Sequence, residues 1–176
     1  MVIESEIYQR VGEFVVSFQW IENKLREIGW FIIDPERKQW PPLELRKLSN
    51  HDLINEVQKL FIEALPKCNL PTYLEEDFLK SFHKCAEELH ALRKYRNRVL
   101  HSAYIEIKGG GEKVAILRSN PIIGIDENTE EYSFDQESLG PDSFKEEMVK
   151  MAEVSLFLNR AFIQLVHQYP NGGSDL

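Results

Sequence analysis

Ile7, Val11, Phe14, Phe18, Ile21, Leu25, Ile28 and Ile32 alternate four and three apart near the start of this chain. That spacing places all of them on one face of an α-helix of about seven turns. A seam this long commits the chain to a helical architecture, because its apolar face must be covered by other packed elements. Pro35 ends the helix, since its ring cannot continue the backbone hydrogen-bond ladder.

The segments that follow supply the covering elements. Residues 35–48 read as a connector containing Trp40-Pro41-Pro42. A second helix is expected over Asn50–Leu65, capped by Ser49 or Asn50 and stopped by Pro66. A third begins near Thr72 and runs to about His101 or Ala103, with the seam Phe78, Phe82, Cys85, Leu89, Leu92, Arg96, Val99. The period then changes from helical to alternating. Ile105 and Ile107, a Gly109-Gly110-Gly111-Glu112 turn and Lys113–Leu117 predict a β-hairpin near 104–118. Residues 119–142 read as an acidic connector with seven Asp or Glu and no Lys or Arg, and its Ile122, Ile123, Ile125, Tyr132 and Phe134 are expected to pack down. The last helix is expected from Ser143 to His167, with Ser143 and Glu146 as a capping box. Its inner face would be Phe144, Met148, Met151, Leu158, Phe162 and Leu165. The fold class is therefore mainly α: a bundle of about four long helices carrying one short β-hairpin, in a single domain over 1–169 with a flexible tail at 170–176.

With 176 residues, 43% of them hydrophobic, one domain can bury a sizeable core. The net charge of −8 argues against a general nucleic-acid coat but leaves room for one locally basic site. Cys68 and Cys85 form no CxxC pair, so neither a disulfide framework nor a structural zinc site is expected. The acidic N-terminus is unlike a secretory signal, and no apolar run reaches the length of a membrane span. The expectation is a soluble cytoplasmic protein with no membrane association, no metal and no cofactor.

Arg96 is the residue out of place. On the helical wheel it lies inside the apolar stripe of the third helix, where an unpartnered guanidinium is costly. Its head must meet an anion or reach solvent. Asn97 and His101 share a neighbouring polar face with His83 and His90. Arg93, Lys94, Arg96 and Arg98 put four positive charges into six residues. Two readings stay open. In one, Arg96 locks the bundle by pairing with an acid such as Glu22, His101 caps the helix C-terminus, and Lys94 and Arg98 are a solvated face. In the other, the guanidinium meets a phosphate, the amide orients and the imidazole moves protons. RNA brings its own nucleophile, the 2′-hydroxyl, so one Arg and one His suffice for strand cleavage without metal.

Arg96-Asn97-Arg98-Val99-Leu100-His101 resembles the R-N-x-x-x-H form of the R-x4-H motif of the HEPN superfamily. Its place near the end of a long helix, in a small acidic helical chain, resembles that family as well. The resemblance implies a metal-independent endoribonuclease that works as a homodimer, with two motif helices meeting across a dyad. It implies that Arg96 contacts the scissile phosphate, that His101 is the general base or acid, and that Asn97 holds the geometry. Arg93, Lys94 and Arg98 would then bind RNA. An antitoxin or other regulatory protein is the further partner it implies, as for toxin or abortive-infection effectors. Other members are non-catalytic dimerising modules that bind a nucleotide or a protein, which is the alternative.

Other signals are bland. The three glycines lack the Gly-Lys-Ser/Thr of a phosphate loop. His83 and His90, seven apart, stand about 10.5 Å from each other along a helix, too far to share a metal. Cys85 reads as a small core residue, and 126–131 lacks the EF-hand pattern.

Overall fold

A computed structural model describes residues 2–38, 42–125 and 132–169. The chain is mainly helical with a small three-stranded antiparallel sheet. In order come α1 (Val2–Ile33), α2 (Leu43–Lys47), α3 (Asn50–Ala64), a 3₁₀ turn (Leu65–Lys67), α4 (Thr72–Leu100), β1 (Ala103–Gly109), β2 (Glu112–Ile125), β3 (Tyr132–Leu139) and α5 (Lys145–Gln168). Among the described residues no helix is long and apolar enough to cross a membrane. The contacts divide the chain into two compact units, Met1–Ser17 with Lys94–Met148 and Phe18–Arg93 with Val149–Leu176.

In the unit built from Phe18–Arg93 and Val149–Leu176, Phe18, Ile21, Leu25 and Ile28 of the α1 seam are all buried. Phe31 replaces Ile32 at the end of that seam; Ile32 is only half-buried. The predicted 35–48 connector holds an unforeseen short helix, α2. Its Leu45 is buried, and a Cβ at Gly29 would meet Leu45 Cδ1 at 2.9 Å and Val57 Cγ2 at 3.2 Å. The glycine leaves room for the Leu45 side chain against α1. Ser49 caps α3 as expected, its hydroxyl accepting from Asp52 N–H at 3.2 Å. Phe61 of α3 stacks on Phe82 of α4 with ring centroids 4.3 Å apart, and Phe157 of α5 meets Phe82 at 5.7 Å. The buried face of α5 is Met151, Val154, Leu158, Ala161 and Leu165.

In the other unit the core gathers round three rings. Phe14 stacks on Phe144 at 5.3 Å, and Tyr95 stands edge-on to both, at 5.5 and 6.0 Å. Phe144 adopts φ 71°, a left-handed conformation that costs about 1–2 kcal/mol outside glycine. Burying its ring offsets that strain. The same conformation corrects the expected capping box. With Phe144 non-helical, Ser143 cannot be the N-cap of α5, and its hydroxyl accepts from Gly140 N–H at 2.9 Å instead.

The hairpin is present but is two-thirds of a larger sheet. Gly110 (φ 62°) and Gly111 (φ 88°) turn β1 into β2 with Gly109 opposite Glu112, as a two-residue turn with both central residues left-handed requires. The supposed acidic connector holds the second half of β2 and all of β3, with Ile116 opposite Leu139 and Arg118 opposite Glu137. The side chains of Ile122, Ile123, Ile125, Tyr132 and Phe134, the acidic run 126–131, Trp40-Pro41 and the tail 170–176 lie outside the described residues.

Candidate functional site

The end of α4 carries Arg96 and Asn97, and His101 is the first residue past it. A helix end leaves carbonyls without intrahelical partners, and here the following residues satisfy them. Ser102 Oγ donates to Arg98 O at 2.5 Å, Tyr104 Oη donates to Val99 O at 2.9 Å, and His101 N–H donates to Asn97 O at 3.0 Å. The sheet holds this end in place. Arg118 on β2, only 2% exposed, gives Nε to Glu137 at 3.1 Å, Nη2 and Nη1 to Asp135 at 2.9 and 3.3 Å, and Nη1 to Ser102 Oγ at 3.1 Å. One buried guanidinium thus ties β2 to β3 and both to the residue after His101.

Burial opposes the charge on Arg118, but its hydrogen bonds and charge pairing with Asp135 and Glu137 outweigh that and raise its pKa. In return, the hydrogen bond from Arg118 holds the Asp135 carboxyl below its ordinary value, with further help from the Arg118 and Arg98 charges. Tyr95 and Tyr104 are pushed up by burial, so their phenols stay protonated near neutrality.

Arg96 is different. It is half-buried, and its Nη1 donates to Asn97 Oδ1 at 3.3 Å. Its Nε is buried with no hydrogen-bond partner. Glu22, the acid suggested by the sequence, lies 4.0 Å from Arg26 one turn along its own helix. A guanidinium carries five N–H donors in a planar fork, a geometry that suits a carboxylate or a phosphate. His101 is exposed just past the C-terminal end of α4.

The three expected RNA-binding residues differ among themselves. Arg98 is 50% exposed, lies over the Tyr95 ring at 5.2 Å and approaches Asp135 to 3.9 Å. Lys94 is exposed. Arg93 is half-buried in the second unit, its Nε without a hydrogen-bond partner. The polar line on α4 is tied to α3. His90 Nε2 donates to Asn55 Oδ1 at 3.0 Å, His51 lies 5.1 Å from the His90 ring, and Gln58 Nε2 donates to His83 Nδ1 at 2.9 Å. Among the described residues no three His, Cys, Asp or Glu gather as a metal site would require. Cys85 is buried, and its thiol is pushed up to about 12 by that burial, so it is no nucleophile.

No family model, curated protein or solved structure matches this chain.

The residues that sequence reasoning missed are Arg118, Asp135, Glu137, Ser102 and Tyr104. A signal for them was present. Ile116, Arg118 and Asn120 alternate on β2 and are all buried, and Asp135 and Glu137 are two apart on β3. A buried arginine on one strand calls for carboxylates on the next.

Proposed function

We propose that this chain is a metal-independent endoribonuclease of the HEPN type, with α1, α3, α4 and α5 as the four long helices of its bundle. It acts in the cytoplasm as a homodimer in which two α4 ends share one composite site. The observation that carries this reading is Arg96, a half-buried guanidinium inside an apolar stripe whose buried Nε has no hydrogen-bond partner. The structural role that a buried arginine usually fills belongs to Arg118.

Arg96 holds the scissile phosphate and stabilises the charge that builds on its oxygens. One His101 removes the 2′-hydroxyl proton, the 2′-oxygen bonds to phosphorus, and the P–O5′ bond breaks. The other protonates the leaving O5′, so the products are a 2′,3′-cyclic phosphate and a 5′-hydroxyl. Asn97 orients Arg96 through their shared hydrogen bond. Lys94, Arg93 and Arg98 bind the flanking backbone electrostatically. A toxin or abortive-infection role follows, with an antitoxin or regulatory protein as the restraining partner.

The approach of Arg98 to Asp135 favours a second reading, because it draws one cation away from RNA. In that reading the chain is a non-catalytic dimerising module that binds a nucleotide or a protein. An RNA-cleavage assay in EDTA separates the two. The wild type is expected to cut, leaving cyclic-phosphate ends, and folded His101→Ala is expected not to. Intact RNA across varied substrates, or equal cutting by His101→Ala, would remove the enzyme reading.

A further inference from the structure

Helix α5 has two apolar faces, and only one is used within its own unit. Met151, Val154, Leu158, Ala161 and Leu165 are buried. On the opposite side, Val149 is 55% exposed, Leu156 67% and Ile163 51%, each seven residues from the next. Ala152 and Asn159, also exposed, and half-buried Val166 fall between them at alternating spacings of three and four. A sustained 3.5-residue apolar repeat is the seam of a helix that winds against another helix. A row of exposed Val, Leu and Ile at this spacing is not an ordinary solvent face.

We propose that this outer face of α5 pairs antiparallel with α5 of a second copy of the chain. The charges beside the seam select the partner and its direction. In heptad terms Glu153 and Arg160, both exposed, occupy the same flank of the seam one heptad apart. In a parallel pair Glu153 would face Met148 and Arg160 would face Ser155, with no charge to meet. In an antiparallel pair that flank faces itself, so Glu153 meets Arg160 of the second copy, twice. The register follows as well. With Leu156 opposite the partner's Asn159, Ala152 opposite the partner's Ile163 and Val149 opposite the partner's Val166, all six positions are paired. A slip of one heptad either way brings Glu153 against Glu153, or Arg160 against Arg160, and leaves the end of the seam uncovered. Asn159 beside the dyad adds a polar position of the kind that fixes register. The inference rests on α5 alone and goes beyond the ribonuclease reading.

Sedimentation and cysteine cross-linking on the full chain test it. Leu156→Lys, at an exposed position that leaves the helix intact, is expected to halve the mass of the wild-type assembly. It should raise the dissociation constant by a factor of roughly 100 or more, since two leucines leave the interface. Glu153→Arg alone is expected to weaken the pair, and Glu153→Arg with Arg160→Glu to restore it. A short bis-maleimide is expected to join Val149→Cys/Val166→Cys chains but not Val149→Cys chains, whose thiols lie about 25 Å apart in the antiparallel register. Native Cys68 and Cys85 are buried, and wild type serves as the blank. A wild type that is monomeric at every concentration, an unchanged mass for Leu156→Lys, or efficient joining of Val149→Cys chains would each overturn the proposal.

Discussion

Two arginines in one unit are predicted to respond unequally to the same substitution. Arg118→Met removes four hydrogen bonds to Asp135, Glu137 and Ser102 from a side chain 2% exposed. Hydrogen bonds to charged groups contribute about 1.5–3 kcal/mol each before discounting. Asp135 and Glu137 are 32% and 37% exposed, so water recovers part of their loss. The net expectation is a destabilisation of about 2–4 kcal/mol, near the lower range for breaking a buried pair. For a chain of this size that lowers Tm by roughly 5–15 °C. Arg96→Met removes a single 3.3 Å bond to its sequence neighbour and also removes an orphaned Nε. A gain and a loss of about 1 kcal/mol each leave its stability unchanged within about 1 kcal/mol. Thermal melts by circular dichroism, with urea midpoints at fixed m-value, measure both. If Arg96→Met loses as much stability as Arg118→Met, an anion of the protein itself holds Arg96, and the argument for a substrate phosphate collapses.

The Asp135 pairing gives a pH dependence of known sign. Its folded pKa lies below its ordinary value of 3.8, so its contribution is full above that value and is lost as pH falls through the folded pKa. The urea-midpoint gap between wild type and Asp135→Asn should be constant from pH 7 to 5 and close below about pH 3.8; a gap that widens in acid would contradict the assignment. Gly29→Ala gains about 1 kcal/mol of helix propensity but forces Leu45 and Val57 aside, which costs about 1–3 kcal/mol. A net loss near ~1 kcal/mol is expected, and a stabilised variant would show that α2 yields freely.

The local features of the chain were open to reading because their causes are local. Ile7, Phe14, Phe18, Ile21, Leu25 and Ile28 are buried because a four-three spacing lines one side of a helix whatever covers it. Ser49 caps α3 and the glycines turn β1 into β2 through contacts within a few residues. The motif at 96–101 was likewise visible, with its charge inside an apolar stripe.

What lay beyond the sequence depends on partners far along the chain. Tyr132–Leu139 reads as part of an acidic connector until β2 supplies Arg118 opposite Glu137. Ser143 looks like a helix cap until Phe144 turns left-handed to join Phe14 and Tyr95. Arg96 and Arg118 are the same residue type, each with apolar neighbours. Which of them carries a structural ion pair is decided by whether carboxylates stand within about 3 Å, and that distance is set by strand register rather than by sequence spacing. The sequence by itself determined where an arginine is out of place; the tertiary structure decided that the carboxylates of β3 satisfy Arg118 and that the buried Nε of Arg96 has no hydrogen-bond partner.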